Sequence, residues 1–286
     1  MLSFLRALWL RALALLVAPL CLLTTWITDG KDQPIDGQYP AVSQENFGLF
    51  GAVPRYQGIT TDGEYWYYSW NFGLYKTTLD HKPVENNFIA IPLKYLTEGS
   101  NHIGGISVAG GKLYCPLEDG GDYLHPYILI YDAETLRWTG KAYALPQELH
   151  VKGVPWVAVD VPRGVAYTAE WNNATVLNVF SLEDFTLLRT VPLSAPIDRV
   201  QGAEVYGGVL YCAADSKDSH TIWAVQPETG EVYKAFDRNL DNAIEAEDAT
   251  VWPMPDGSLI HCIETGSSRV NVVLKHYAFD PTALPF

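Results

Sequence analysis

Basic residues are scarce in this chain of 286 residues, with 19 Lys and Arg against 33 Asp and Glu and a net charge of −14. That balance speaks against nucleic acid and anionic membrane surfaces as partners of the folded part, since both call for a positive field. Cysteine is scarce as well: four occur, with no Cys-x-x-Cys pair and no Cys/His spacing of a zinc site, so a thiolate metal centre is not expected. No phosphate-cradling glycine loop is present, and no segment sustains a helical period. Hydrophobic residues, by contrast, make up 48% of the chain and aromatics 13%, enough to bury a large core in one large domain or two small ones.

The one continuous apolar run is N-terminal. Arg6 and Arg11 precede "ALALLVAPLCLLTTWI" (12–27), and the acidic "TDGKDQ" follows. Positive charge ahead of an apolar run orients the segment N-inside, C-outside. The run is shorter than the roughly 20 residues that span a bilayer, which favours a signal peptide, yet no clean small-x-small cleavage site follows it. "VAPLC" also lacks the small residue expected before a lipidated cysteine. Residues 1–28 are therefore expected to be either a signal peptide or a retained membrane anchor, 29–37 a linker and 38–286 the folded domain. The localisation expected is extracytoplasmic, with membrane contact only through residues 1–28.

Aligning the chain on itself organises the rest. Tyr67, Tyr114, Tyr167, Tyr211 and His261 fall in one column, spaced 47, 53, 44 and 50 residues apart. Upstream of each lies a short strand-like run: "QGITT" (57–61), "GGISV" (104–108), "VAVDV" (157–161), "QGAEV" (201–205) and "EDATV" (247–251). Outer pairs such as "YILIYDAETLRWTGKAYAL" (127–145) and "TIWAVQPETGEVYKAF" (221–236) are joined by turns of hairpin character. The fold expected is all-β, a β-propeller of five four-stranded blades, with six as the alternative. After "RVNVVLKHYAF" (269–279) too little chain remains for a fourth strand. An open ring would expose a sheet edge, so a strand from residues 38–53 is expected to complete the last blade.

The same register places Cys115, Cys212 and Cys262 at one position of the second strand in three blades. Blade spacing exceeds the roughly 7 Å between α-carbons that a disulfide tolerates, so these cysteines are expected to be unpaired and buried.

In a propeller, the segments leading into first strands and those leaving second strands gather on one face. The lead-in positions hold Gln57, His102, Trp156, Gln201, Glu245 and Glu247; the exits hold Trp70, Asn71, Glu118, Asp119, Glu170, Trp171, Asn172, Asp215 and Glu264. Next to the channel the column reads Gly58, Gly105, Ala158, Gly202 and Asp248; an aspartate among small residues is costly unless paired or metal-bound. Oxygen-rich side chains of this kind suit a hard divalent cation, calcium by preference, and clustered acids can also supply a general acid or base. Glu118, Asp215, Glu247 and Asp248 are the candidate metal ligands. Gln57, Trp156, Trp171 and Gln201 are the candidate ligand-binding residues, and Glu170 and His102 the candidate proton-transfer pair. The ligand class is a small molecule or peptide, and the molecule is expected to be a monomer.

Other motifs are weaker. "GISVA" (105–109) imitates a nucleophile elbow but lies on a strand, so Ser107 reads as structural. "EDGGD" (118–122) reads as a solvated hairpin loop before it reads as a calcium loop. His81, His125, His150, His220 and His276 show no ligand spacing, and Trp66, Trp138, Trp223 and Trp252 read as packing residues.

The blade openings "YQGIT" and "VQGAE" and the outer hairpins "IYDAETL" and "VQPETGEVY" resemble the group of five- and six-bladed propellers that includes the plant-type glutaminyl cyclotransferases and the gluconolactonase-like proteins. The first likeness rests on the five-unit count and on the opening at Tyr56–Ile59. The second rests on acids and amides at the channel face, where that family holds a divalent metal. The resemblance implies a propeller fold and, as alternatives to a plain binding module, a metal-dependent hydrolase or an acyltransferase. Neither family's full site maps onto this chain residue by residue.

Overall fold

The structure is a computed structural model that describes residues 39–216, 219–238, 240, 244–266 and 271–286. The expected leader 1–28 and linker 29–37 lie outside the described residues. Among the described residues, no helix is long and apolar enough to cross a membrane.

After strand β1 (Ser43–Asn46), blade one is built from β2 (Gly58–Thr61), β3 (Tyr65–Trp70), β4 (Gly73–Thr78) and β5 (Pro83–Asn87). Blade two comprises β6 (His102–Ile103), β7 (Ser107–Ala109), β8 (Lys112–Glu118), β9 (Tyr127–Asp132) and β10 (Trp138–Ala144). Blade three runs through β11 (Ala158–Asp160), β12 (Val165–Thr168), β13 (Ala174–Ser181) and β14 (Leu187–Ile197). Blade four has β15 (Val200–Tyr206), β16 (Val209–Ser216), β17 (Ser219–Gln226) and β18 (Glu231–Asp237). In blade five, β19 (Ile244–Val251), β20 (Ile260–Gly266) and β21 (Val272–Tyr277) are joined by β1 as outer strand, in the order β1-β21-β20-β19. The molecule is a five-bladed β-propeller.

The strand segments read as they do because a blade is covered on both faces by its neighbours. Middle strands therefore carry near-continuous buried runs in place of an in–out alternation: all six residues of β21 are buried, Lys275 and His276 included, and six of seven in β8. Outer strands meet solvent, and β14 is mostly exposed. The outer hairpins of blades two, three and four share one device. Leu136, Phe185 and Gly230 each donate an N–H back to a carbonyl four residues earlier, with φ of 54°, 54° and 78°. Glycine adopts this left-handed conformation without strain, whereas leucine and phenylalanine do so at a penalty of about 1–2 kcal/mol. Burial of the Leu136 and Phe185 side chains offsets that penalty.

The ring closes where the sequence places it, by Ser43↔His276 through Asn46↔Val273 in antiparallel register. The closing strand is shorter than the segment 38–53: after Asn46 the chain turns into helix α1 (Gly48–Ala52), with Gly48 N–H donating to Asn271 Oδ1 at 2.9 Å. A second five-residue helix, α2 (Leu93–Thr97), leads into blade two. The first strand of that blade is broken between β6 and β7. A Cβ at Gly104 would lie 2.0 Å from the Pro155 carbonyl, so the backbones of blades two and three touch there, and Gly105 bridges Trp156 in parallel.

Cys115, Cys212 and Cys262 are unpaired and buried, and burial pushes all three thiols up. Three local expectations need correction. The "EDGGD" loop is solvated at Gly120–Asp122 but not at its start: Glu118 and Asp119 are buried, and the Asp119 carboxylate accepts N–H bonds from Leu124 and His125. Trp138 and Trp252 are exposed, unlike the buried Trp66, although the Trp252 indole lies against the backbone of Gly63. Trp156, an expected ligand-binding residue, is buried in the apolar core shared by blades three and four; its bulk fills the space between the two sheets.

Candidate functional site

A cavity of about 450 Å³ opens on the face where first strands begin and second strands end. Its floor and walls are the lead-in residues Gln57, His102, Gln201, Glu245 and Glu247 together with the exit residues Asn71, Phe72, Glu118 and Trp171. Asn101, Tyr123, Lys152 and Pro155 complete the rim. The size is that of a small-molecule site. Of the ten residues singled out in the sequence, Gln57, His102, Glu118, Trp171, Gln201 and Glu247 line this one space.

One polar chain crosses the cavity wall. Glu118 Oε2 accepts the Val154 N–H at 2.7 Å, and its Oε1 lies 2.9 Å from His102 Nδ1. His102 Nε2 meets Gln57 Oε1, and Gln57 Nε2 donates to Glu247 Oε1 at 3.4 Å and to the Tyr56 carbonyl at 3.0 Å. Both imidazole nitrogens thus face oxygens, one on blade two and one ahead of blade one. The register of β6 with β8 (His102↔Glu118) puts the histidine beside its carboxylate.

The other expected residues lie elsewhere. Asp215 forms an ion pair with Arg199 at 2.6 Å, lies 3.1 Å from His220 and accepts the Ala246 N–H at 3.1 Å. Burial alone would raise its pKa, but the His220, Ala246 and Arg199 contacts outweigh that and hold it below the usual carboxylate range. Glu170 stands outside the cavity lining. Glu264, at the last exit, is buried and paired with Lys275 at 3.1 Å. Of the four candidate metal ligands, Glu118 and Glu247 line the cavity and Asp215 and Asp248 do not; among the described residues, no group of three or more His, Cys, Asp or Glu side chains is placed to hold a metal ion.

Asp248 sits on the axis. Its carboxylate accepts the N–H of Ile59 at 2.9 Å and of Ala249 at 2.7 Å, and it occupies the space a Cβ would need at Gly202, which would fall 1.6 Å from Oδ1. The glycine in blade four exists to admit the aspartate of blade five. Burial raises the Asp248 pKa well above its ordinary value despite these N–H bonds, and nearby Glu204 raises it further. Glu204 lies one inward-facing step further along the channel. It accepts hydroxyl bonds from Thr60 at 2.9 Å, Ser107 at 3.1 Å and Thr250 at 3.5 Å, yet burial still lifts its pKa to about 7. Ser107 is structural, as expected, and also accepts the Val159 N–H. Glu204 went unnoticed in the sequence, although reading the column two residues beyond the small-residue position (Thr60, Ser107, Asp160, Glu204, Thr250) would have found it.

A third cluster was also missed. Glu45 Oε2 lies 2.5 Å from His276 Nε2, His276 Nδ1 lies 2.6 Å from His261 Nδ1, and His261 Nε2 lies 2.7 Å from the Trp252 carbonyl. His261 and His276 face each other across the paired strands β20 and β21, and Glu45 joins them only because β1 closes the ring beside β21.

No protein-family description matches this chain, and neither does any curated protein. Solved structures do. A chain from the crystal structure of a nidogen/laminin complex superposes with a TM-score of 0.50 at 12% identity, over 78% of this chain and 86% of that one. The likeness is one of fold. A chain from the mitotic checkpoint complex gives a TM-score of 0.42 at 11% identity over 78% of this chain, which spans 63% of that chain's length. Both neighbours come from assemblies of proteins. Propellers host unrelated activities, so function has to be argued from the site.

Proposed function

We propose that this chain is an exported β-propeller whose channel-face cavity binds a small organic ligand. The observation that carries the reading is the convergence of Gln57, His102, Gln201 and Glu247 from four blade openings on one space of about 450 Å³. Convergent polar groups in a preformed cavity are the general signature of a ligand site. Export is supported by the apolar run 12–27 behind Arg6 and Arg11, and buried thiols of raised pKa suit an oxidising compartment because thiolate is the reactive form.

Fragment soaking of crystals tests the binding reading. Fragments should occupy the cavity, and Trp171→Ala and Gln201→Ala should each weaken a bound fragment by roughly tenfold. Fragments found only at other sites would overturn it. Titration with calcium, followed by chelator, checks the cation occupant: a bound ion raises the melting temperature and its removal reverses the rise.

A second reading is favoured by one feature, the Glu118–His102 contact. A carboxylate that orients an imidazole at a cavity wall is the arrangement of a general acid–base pair. It would fit the hydrolase or acyltransferase activities of the propeller group that the repeat pattern resembles. His102→Gln would then abolish turnover of a bound substrate while leaving its affinity within about twofold; equal loss of both would speak for binding alone.

A further inference from the structure

We infer that the cavity face is a lipid-docking face: with residues 12–27 held in a bilayer, apolar side chains around blades one and two insert into its electrically neutral surface. This rests on the export reading above and is independent of the cavity's ligand. The side chains come from segments that lead into first strands or leave second strands. Phe50 lies on α1, between β1 and the lead-in to β2, and Phe72 on the turn after β3. Phe88, Ile89 and Leu93 lie between β5 and β6, and Leu124 follows β8. All six are exposed, Ile89 and Leu93 each to 75%. What is buried beside them fixes that exposure. In "FIAIPLKYL" (88–96), Ala90, Ile91 and Tyr95 pack into the core shared by blades one and two, and the Ala90 N–H donates to the Phe72 carbonyl at 2.7 Å. Phe88, Ile89 and Leu93 are thereby held outward. Large apolar side chains presented in this way mark a surface that meets a protein or a membrane.

The path of the chain favours the membrane. Residues 1–38 precede Tyr39, whose N–H donates to the Asp237 carbonyl at 2.8 Å and which bridges Arg238. Asp237 and Arg238 lie where β18 gives way to the lead-in of β19, on the cavity face. The apolar run 12–27 is thus joined to the domain on that face through residues 28–38, which extend at most about 40 Å. A run held in a bilayer keeps the cavity face within that distance of the lipid, and the tether makes docking an intramolecular event. Charge narrows the choice of lipid. A chain of net charge −14 is repelled by an anionic surface, so the partner is a zwitterionic one. Lys94 is exposed beside Leu93, its ammonium 4.9 Å from the centre of the Tyr95 ring. Its stem can lie in the apolar layer while the charge stays at the level of the phosphates.

The test uses the full chain in phosphatidylcholine nanodiscs, in a Cys21→Ala background that leaves only the buried thiols. A polarity-sensitive dye is attached at Leu93→Cys or, on the opposite face between β11 and β12, at Val161→Cys, and lipids spin-labelled in the acyl chain quench it. Quenching at residue 93 should be at least about threefold that at residue 161, and Phe88→Ser with Ile89→Ser should bring it down to that level. Replacing about one-third of the lipid by phosphatidylglycerol should weaken the quenching at low salt, and about 0.5 M salt should restore it. Equal quenching at the two sites overturns the docking, and stronger quenching with the anionic lipid overturns the neutral partner. A dye at residue 93 that is shielded from water yet unquenched, with two chains per disc, assigns the patch to a second copy and overturns the lipid. N-terminal sequencing of the exported protein reads the tether by itself: loss of residues 12–27 overturns the tethered geometry. A protein that is not exported at all sinks the export reading and leaves the quenching result standing.

Discussion

Two carboxyl groups on the propeller axis are held by opposite kinds of partner. Asp248 is tied by backbone N–H groups from blades one and five, and Glu204 by the hydroxyls of Thr60, Ser107 and Thr250. Asp248, by sequence a candidate metal ligand, has a packing partner in Gly202 and a backbone partner in Ile59. Asp248→Ala should therefore lower stability by about 1–3 kcal/mol, because the buried Ile59 N–H loses its acceptor, while leaving ligand affinity at the cavity unchanged. Denaturant melts and titration of the same variant check both halves. Glu204 makes a pH prediction. Its pKa is raised to about 7 in the folded chain from an ordinary 4.5, so the native state binds the proton more tightly than the unfolded chain. Its contribution is then fully favourable below pH 4.5 and is lost as pH rises through 7, at up to about 1.4 kcal/mol per pH unit within that window. In Glu204→Gln the hydroxyls can rotate to suit the amide, and the difference in stability between wild type and variant should shift in the variant's favour as pH rises from 4.5 to 7. A difference that stays flat across that range would remove the axial carboxyl from the account.

At the scale of the element, the closing strand β1 carries its own polar latch. The Trp252 carbonyl can only accept, so His261 Nε2 donates to it and, with the ring neutral, Nδ1 accepts from His276. His276 in turn faces Glu45 on β1. His81 and Arg55 stand on the blade-one side and Asp256 on the adjoining turn, the neighbouring charges that act on this cluster. Burial pushes His261 down to about 4, against its bond to the Trp252 carbonyl, and His276 pushes it further down. The unfolded chain protonates this ring near pH 6.5 and the folded chain does not, so stability is fullest above 6.5 and falls between 6.5 and 4. Hydrogen exchange at Ser43–Asn46 should accelerate over that range, and His261→Gln should flatten the response. Uniform exchange of β1 from pH 7 to 4 would show that the latch carries no pH dependence. Elements of this kind mark the limit of what the sequence shows. Strand runs and hairpin turns such as "DAETL" and "QPETG" are local, and their period was readable. The meeting of Glu45 with His276 depends on the far ends of the chain pairing, and no spacing announces it.

For the whole molecule, the blade count and the ring closure were legible because each repeat writes the same period, and because blade five visibly lacks a strand. The site was legible in part. Residues at blade openings converge by symmetry, which is why Gln57, His102, Gln201 and Glu247 were found; Trp156 shares that register but is turned into the core, and Asp215, at a second-strand exit, is turned onto Arg199. Which way a side chain turns depends on neighbours that a repeat alignment does not contain. Closure itself is testable. The β21 edge holds six buried residues, Val272–Tyr277, whose backbone groups pair with β1 on one side. Deleting residues 39–53 would leave that edge open, with an apolar strand offering a template to other chains. The shortened protein should associate with rising concentration in light scattering, and a synthetic peptide spanning 39–53, added in excess, should return it to the size of the intact chain by restoring the strand. A shortened protein that stays at one size with an unchanged melting temperature would show that the four-residue strand is an ornament of the ring and that the blade-to-blade core alone keeps it shut.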